Sequence, residues 1–103
     1  MPEKRYLIPY SFDAQKRHQH EMQPGKITRF MVQLEVLIQG EWKPVIRYDC
    51  AHGCAHCDRF NLRGDQLKEE LGMSYEEALT FADDDIDDQW ETYRNRFLQG
   101  ENP

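Results

Sequence analysis

The clearest pattern in the chain is an alternation of apolar and polar positions that starts at Lys26. Side chains two residues apart lie on the same side of an extended chain, so the alternation predicts a strand with one face on the core. The apolar positions of this strand are Phe30, Val32, Leu34, Val36 and Ile38. Gln39-Gly40-Glu41 has the composition of a turn, and residues 42–49 then read as a returning strand. We therefore predict a β-hairpin over residues 26–49.

A second periodicity appears near the C-terminus and has the spacing of a helix. Ser74 and Glu77 form the S-x-x-E capping box that starts many helices, and Gly100 follows the last apolar position. The apolar positions, three or four residues apart, are Tyr75, Leu79, Ala82, Ile86, Trp90, Tyr93 and Phe97. This spacing places them in one stripe, so we predict a long helix over 74–98 that packs on the sheet.

The remaining segments show weaker patterns. Residues 6–8 resemble a short edge strand, 11–25 a polar connection ending in a Pro-Gly turn, and 60–62 a third strand, while 66–71 fits a strand or a helical turn. The predicted fold is α+β, with a small antiparallel sheet of three to four strands and the long C-terminal helix on one face. We expect a single domain over 1–103, divided into an N-terminal arm (1–25), the hairpin (26–49), a Cys/His loop with short elements (50–73) and the helix (74–98).

Charge is distributed unevenly along the 103 residues. The net charge is -6, but residues 1–63 carry +3 and residues 64–103 carry -9. Phosphate contacts dominate nucleic-acid binding, so only the N-terminal part has the charge to meet a nucleic acid. No apolar run reaches the length of a membrane helix, and the first residues lack the apolar middle of a signal peptide. We expect a cytoplasmic protein without a membrane partner.

Five aspartates interrupt the predicted helix, namely Asp83, Asp84, Asp85, Asp87 and Asp88. Aspartate is a poor helix former, and like charges four residues apart repel each other. The simplest interpretation is a solvated helix face. The alternative is a surface for a basic partner or for a cation, and a cation needs further ligands from elsewhere in the fold.

The richest chemistry lies in residues 47–60, RYDCAHGCAHCDRF. A reducing cytoplasm favours thiols or metal ligands over disulfides. Zinc prefers cysteine and histidine, and Cys54 and Cys57 supply a C-x-x-C pair to which His18 and His20 add an H-x-H pair from a separate segment. Zinc is the only cofactor that the sequence suggests. A redox role for the C-x-x-C is disfavoured, because that motif normally opens a helix in a βαβ unit.

Proton-transfer chemistry is the second hypothesis for this segment. His52 and His56 are candidate general acid–base groups, Asp49 and Asp58 are near enough to orient them, and Arg47 and Arg59 are candidate phosphate-binding residues. The hypothesis requires that both imidazoles face a common open cleft. The alternative is structural: His52-Gly53 turns the chain, the aspartates cap backbone amides and the cysteines pack as small apolar residues.

The same segment carries a resemblance. The string from Trp42 to Asp58 resembles the motif W-x-P-V-V-R-Y-D-x-A-H-G-x-A-H-x-D of a family of small uncharacterised prokaryotic proteins. This resemblance covers about residues 28–98. The R-Y-D-x-A-H core is also similar to that of TumE-like toxin components of toxin–antitoxin pairs, over about a dozen residues. The three cysteines occupy variable positions of the motif, so the resemblance implies that a metal site shared by the family could not rest on these thiols. The His/Asp set is then the part that needs an explanation.

Two functional hypotheses follow from these observations. The first is a toxin-like or nuclease-like protein that uses His/Asp acid–base chemistry on a phosphodiester. The second is a non-catalytic binding module, with a structural zinc or a purely structural Cys/His loop and an acidic helix that meets a partner. RNA or another protein is the expected partner, and an exposed strand edge offers a route to a homodimer.

Overall fold

The computed structural model describes residues 3–50 and 53–102, and within these residues six strands form one antiparallel sheet beside one helix. The strands are neighbours in chain order: β1 (Glu3–Ser11), β2 (Ala14–Gln23), β3 (Lys26–Ile38), β4 (Glu41–Asp49), β5 (His56–Phe60) and β6 (Gln66–Glu70). Helix α1 (Tyr75–Leu98) packs across β2, β3 and β4. The α+β class and the long C-terminal helix are confirmed. The predicted sheet of three to four strands is wrong, since the sheet has six.

The two faces of this sheet differ in character. We call the face against α1 the helix face and the opposite one the open face. The helix face carries the core, in which the apolar positions predicted for β3 meet the helix. Its fully buried members are Val32, Leu34, Val36, Val45, Ile46, Cys57, Ala78, Ala82 and Ile86. At 25 cal/mol per Å² of buried apolar surface, each large side chain here stabilises the fold by roughly 1.5–3 kcal/mol.

The β3–β4 hairpin forms as its sequence predicts. Ile38 pairs with Glu41, which leaves a two-residue loop of Gln39 and Gly40. Both residues have positive φ angles, 51° and 82°, as a type I′ turn requires. The turn fixes the register of the two strands, and through it the face on which each β4 side chain lies.

Helix α1 begins where the capping box predicts. Ser74 Oγ accepts from the amide of Glu77, and a Glu77 carboxylate oxygen accepts from the amide of Ser74. In the stripe, Ala82, Ile86 and Phe97 are buried, and the other members are partly buried against the same core. The part of the chain that the structure describes contains no helix long and apolar enough to cross a membrane.

The N-terminal arm differs from the prediction. Residues 14–23 are strand β2, not a polar connection, and β1 extends well beyond residues 6–8. The strand was not recognised because its buried positions are polar. Lys16 and His18 lie on the helix face and contact aspartates of α1, while Gln15 and Arg17 lie on the open face and contact Glu35.

The predicted Cys/His loop is shorter than expected. Strand β5 already begins at His56, four residues before the third strand predicted at 60–62. The ambiguous segment after it is strand β6, fully exposed at the edge of the sheet. His56, Cys57 and Asp58 are consequently buried and not solvent-facing.

Candidate functional site

The candidate site lies on the open face, where two adjacent rows of cross-strand partners bring the motif residues together. Paired residues of neighbouring strands project to the same side of a sheet, and residues two apart on one strand do so as well. The first row runs across all six strands through Arg5, Gln19, Met31, Asp49, His56 and Glu70. The second contains Leu7, Arg17, Gln33, Arg47, Asp58 and Lys68.

Three residues of these rows form a compact cluster of one imidazole and two carboxylates. His56 Nε2 lies 2.5 Å from Asp49 Oδ1 and 3.8 Å from Asp58 Oδ2. One ligand atom from each residue lies within 4.8 Å of the others. Asp49 and His56 are direct partners across β4 and β5, and Asp58 follows His56 by two residues, so strand register alone produces the cluster.

The imidazole of His56 is buried, and both of its ring nitrogens lie close to oxygen atoms. Its side chain is only 7% exposed, and Nδ1 lies 3.3 Å from the carbonyl oxygen of Cys54. Nδ1 therefore faces a backbone carbonyl, and Nε2 faces the two carboxylates. His56 therefore has no direct access to solvent, contrary to the open arrangement that the two-imidazole hypothesis requires. Its predicted partner His52 lies outside the described residues.

Two carboxylate oxygens of this cluster are buried without a hydrogen bond among the described residues. Asp58 is 4% exposed, and its Oδ1 is buried without a partner among the described residues. Asp49 Oδ1 is also buried without a hydrogen bond to any described residue, and His56 Nε2 lies 2.5 Å from it. An unpaired buried carboxylate oxygen is costly, so the cluster is incomplete as a purely structural network.

Beside the cluster, polar side chains of the open face form a fully bonded network. Glu35, 4% exposed, accepts hydrogen bonds from Gln15 at 2.7 Å, Gln33 at 2.6 Å and Arg17 at 2.8 Å. Burial acts to raise the pKa of Glu35, but hydrogen bonds from Arg17, Gln15 and Gln33 outweigh it and lower the pKa. Arg47 Nε donates to Gln33 Oε1 at 2.6 Å, which fixes the arginine next to Asp49 and Asp58.

A cleft of about 650 Å³ lies next to this network. Its volume is within the range of roughly 300–1,000 Å³ that small-ligand sites occupy. Its lining includes three arginines, Arg5, Arg29 and Arg47, together with Gln33 and one member of the cluster, Asp49. Glu3 and Glu21 also line it, so the cleft is charged but balanced. Arg29 is exposed and forms no salt bridge with any described residue, which leaves its charge available to a ligand.

Arg59, predicted to bind phosphate together with Arg47, is not brought to the site. It follows Asp58 by one residue and therefore points to the helix face. Its Nη1 donates to Glu69 at 2.9 Å. Of the predicted phosphate-binding pair, only Arg47 lies beside the cluster and lines the cleft.

The four candidate zinc ligands are likewise not brought together. His18 and His20 are on β2, Cys57 is on β5, and two strands separate them, which corresponds to about 14 Å at the usual strand spacing. Cys54 is exposed, before the start of β5. Burial raises the pKa of the Cys57 thiol to about 12, which disfavours the thiolate that zinc needs.

The helix aspartates divide between two environments. Asp84 and Asp88 are exposed, as a solvated face predicts. Asp83, Asp85 and Asp87 instead bind the sheet: Asp83 contacts His18, Asp85 accepts from the hydroxyls of Tyr48 and Tyr93, and Asp87 contacts Lys16 and Tyr10. The acidic surface available to a partner is therefore smaller than the sequence indicates.

Several residues of the site were not singled out from the sequence, among them Arg5, Arg29, Gln33 and Glu35. The sequence does hold a signal for Gln33 and Glu35. They are polar residues that alternate with the apolar core positions of β3, so they lie on the face opposite the core. Arg5 and Arg29 carry no local signal, because their placement depends on the pairing of β1 and β2 with β3.

The comparisons with known proteins give one match. A family model described as a domain of unknown function, DUF7718, matches residues 1–103, which agrees with the resemblance to a family of uncharacterised small proteins. Neither a curated protein nor a solved structure matches the chain significantly.

Proposed function

Because the chain belongs to the DUF7718 family, whose description assigns no activity, we propose its function from the open face. We propose that the cleft binds a phosphodiester, with single-stranded RNA as the first substrate class, and that the Asp49–His56–Asp58 cluster acts on it in a nuclease-like manner. The observation that carries this proposal is that Asp49 belongs both to the lining of the cleft and to the His/Asp cluster. Its side chain lines the cleft and also lies 2.5 Å from His56 Nε2.

Within this proposal, the residues have different roles. Asp49 is the catalytic residue that meets the substrate, because it is the cluster member that lines the cleft. His56 is a positioning residue behind it, and a carboxylate backed by an imidazole is a pairing that proton transfer commonly uses. Arg29 and Arg47 hold the phosphates, since guanidinium groups match phosphate oxygens in charge and geometry.

The excess of positive charge in residues 1–63 supports the same substrate class. The proposal differs from the initial acid–base hypothesis in one respect. It assigns no exchange of protons between two exposed imidazoles, because His56 is buried.

The test is an RNA-degradation assay with the full chain purified without an affinity tag. Asp49→Asn is expected to lower the cleavage rate by about 10²-fold or more, the usual contribution of an acid–base group. Asp84→Asn, an exposed helix position with the same chemical change, is the matched control and should leave the rate unchanged. Absence of cleavage by the wild type, or equal rates for wild type and Asp49→Asn, would overturn the proposal.

Phosphate binding is tested separately. Arg29→Gln should weaken binding of a short RNA and reduce its dependence on salt by about one unit of the log–log slope, because one phosphate contact is lost. Arg63→Gln removes an exposed arginine that does not line the cleft and is the control. RNA that binds to the wild type without being cleaved would refute the nuclease-like chemistry and leave a binding module.

A further inference from the structure

The Asp49–His56–Asp58 cluster has the composition of a metal centre. One imidazole nitrogen and two carboxylates are ligands for divalent transition ions such as Mn²⁺ and Zn²⁺. All three side chains come from two paired strands, so the rigid sheet holds them without help from a loop. The cluster is distinct from the Cys/His set that the sequence suggested for zinc.

The distances within the cluster suit a shared ion. Ligand atoms around one such ion lie roughly 3 to 3.5 Å apart, given bond lengths near 2.1 Å. The separations from His56 Nε2, 2.5 Å to Asp49 Oδ1 and 3.8 Å to Asp58 Oδ2, fall on either side of that value. Each of these two separations is within about 0.5 Å of that range, and one ligand atom from each of the three residues lies within 4.8 Å of the others.

The orientation of the imidazole supports the same conclusion. Histidines that bind a metal usually donate their other ring N–H to a carbonyl or carboxylate, which fixes the ring and its tautomer. His56 Nδ1 lies 3.3 Å from the Cys54 carbonyl oxygen, and its Nε2 points at the carboxylates. The ring is thus already held in the orientation that coordination requires.

The independent observation is the unsatisfied buried carboxylate of Asp58. The residue is 4% exposed, and its Oδ1 has no hydrogen-bond partner among the described residues. Arg47, its cross-strand partner, donates its Nε to Gln33 instead. A buried charge of this kind is normally paired or bound to a metal. A cation bound by both oxygens of the Asp58 carboxylate would give its unpaired Oδ1 a partner.

We infer that Asp49, His56 and Asp58 form a binding site for one divalent transition-metal ion, with Mn²⁺ as the probe. The cation would lie at the edge of the cleft, so the inference deepens the proposed function. It rests on that function only for the location of the substrate. A bound cation would make Nε2 a ligand, and activation of a water would then fall to the ion and not to the imidazole.

The test is calorimetric titration of Mn²⁺ into the untagged full chain, without RNA. One ion per chain is expected to bind, and Asp58→Asn should lower the affinity by about tenfold or more, since it removes one ligand charge and keeps the side-chain volume. Asp84→Asn should bind like the wild type. Lack of saturable binding to the wild type, or equal affinity for Asp58→Asn, would overturn the inference.

Two further measurements keep the test independent of how the variant folds. Paramagnetic Mn²⁺ should broaden the amide signals of Asp49, His56 and Asp58 in the wild type before any signals of the helix. Mn²⁺ should also raise the melting temperature of the wild type, because it binds only the folded chain. Broadening that begins at the helix aspartates would contradict the assigned site. Since no RNA is present, failure here is separate from failure of the nuclease assay.

Discussion

The ammonium group of Lys16 lies 2.8 Å from Asp87 Oδ1 and 3.1 Å from Asp83 Oδ1, although the Lys16 side chain is only 2% exposed. This contact ties β2 to α1 over a separation of 71 residues. Burial acts to lower the pKa of Lys16, but the hydrogen bonds to Asp87 and Asp83 outweigh it and raise the pKa. The lysine is therefore charged in the folded chain and belongs to the link between helix and sheet.

Replacing Lys16 by alanine is expected to lower the free energy of unfolding by about 2 to 4 kcal/mol. This value is set below the usual range of about 3 to 5 kcal/mol for a broken buried pair, because the Asp87 side chain is half exposed and water screens it. Urea denaturation measures the effect. Lys43→Ala, which removes an exposed ion pair with Glu41, is the control and should change stability by less than about 1 kcal/mol. Equal effects of the two substitutions would contradict the assigned role of Lys16.

Asp85 accepts hydrogen bonds from two tyrosine hydroxyls, at 2.6 Å from Tyr48 and 2.7 Å from Tyr93. Asp85→Ala is expected to destabilise the fold by about 2 to 3 kcal/mol, because both hydroxyls lose a charged acceptor. Asp84→Ala makes the same change in helix propensity at an exposed position, so the difference between the two variants isolates the hydrogen bonds. Thermal denaturation of both variants checks the prediction, which fails if their stabilities coincide.

The bond between Asp13 and Arg94 predicts a dependence of stability on pH. Hydrogen bonds from Arg94 lower the pKa of Asp13, with burial acting in the opposite direction. A carboxyl group whose pKa is lower in the folded state stabilises the fold above its unfolded pKa of about 3.9, and this contribution is lost as the pH falls through the folded value.

Arg94→Gln should therefore be about 1 kcal/mol less stable than the wild type at pH 7. The difference should shrink as the pH falls below about 4, where the wild type loses its advantage through protonation of Asp13. Denaturation curves at several pH values measure it. A difference that stays constant at acidic pH would show that Arg94 acts through packing and not through the carboxylate.

Cys54 and Cys57 should differ in their reactivity towards alkylating agents. Cys54 is exposed, whereas Cys57 is buried and burial raises its pKa to about 12. Alkylating agents react with the thiolate, so iodoacetamide near pH 8 should modify Cys54 first and leave Cys57 intact until denaturant is added. Mass spectrometry of the peptides locates the label. Labelling of Cys57 at the rate of Cys54 in the folded chain would refute its placement on the helix face.

The sequence predicts the helix and the central hairpin well, because their signals are local. The Ser74–Glu77 capping box and the apolar stripe need no information from other elements. The sequence does not predict strand β2, because the burial of its polar residues depends on distant partners. Lys16 is buried because it pairs with Asp83 and Asp87. Gln15 is buried because it donates a hydrogen bond to Glu35. A polar strand with partners on both faces has no apolar alternation to detect.

In the candidate site, too, the sequence identifies the residues but not the contacts between distant elements. The sequence names Asp49, His56 and Asp58 and predicts that they act at one solvent-facing spot, but it does not predict strand β5, in which His56 and Asp58 are buried. Once β5 begins at His56, the two-residue period places Asp58 beside His56 and sends Arg59 to the other face. The cleft itself depends on the pairing of β1 to β4 and has no signature in any single segment.

The central claim is that the open face holds the ligand-binding site. Titration of a short single-stranded RNA into the isotope-labelled chain, followed by amide chemical shifts, tests it most directly. The account predicts saturable shift changes centred on Arg29, Gln33, Arg47 and Asp49, with α1 largely unaffected. Absence of saturable changes, or changes centred on the exposed helix positions Asp84 and Asp88, would contradict it.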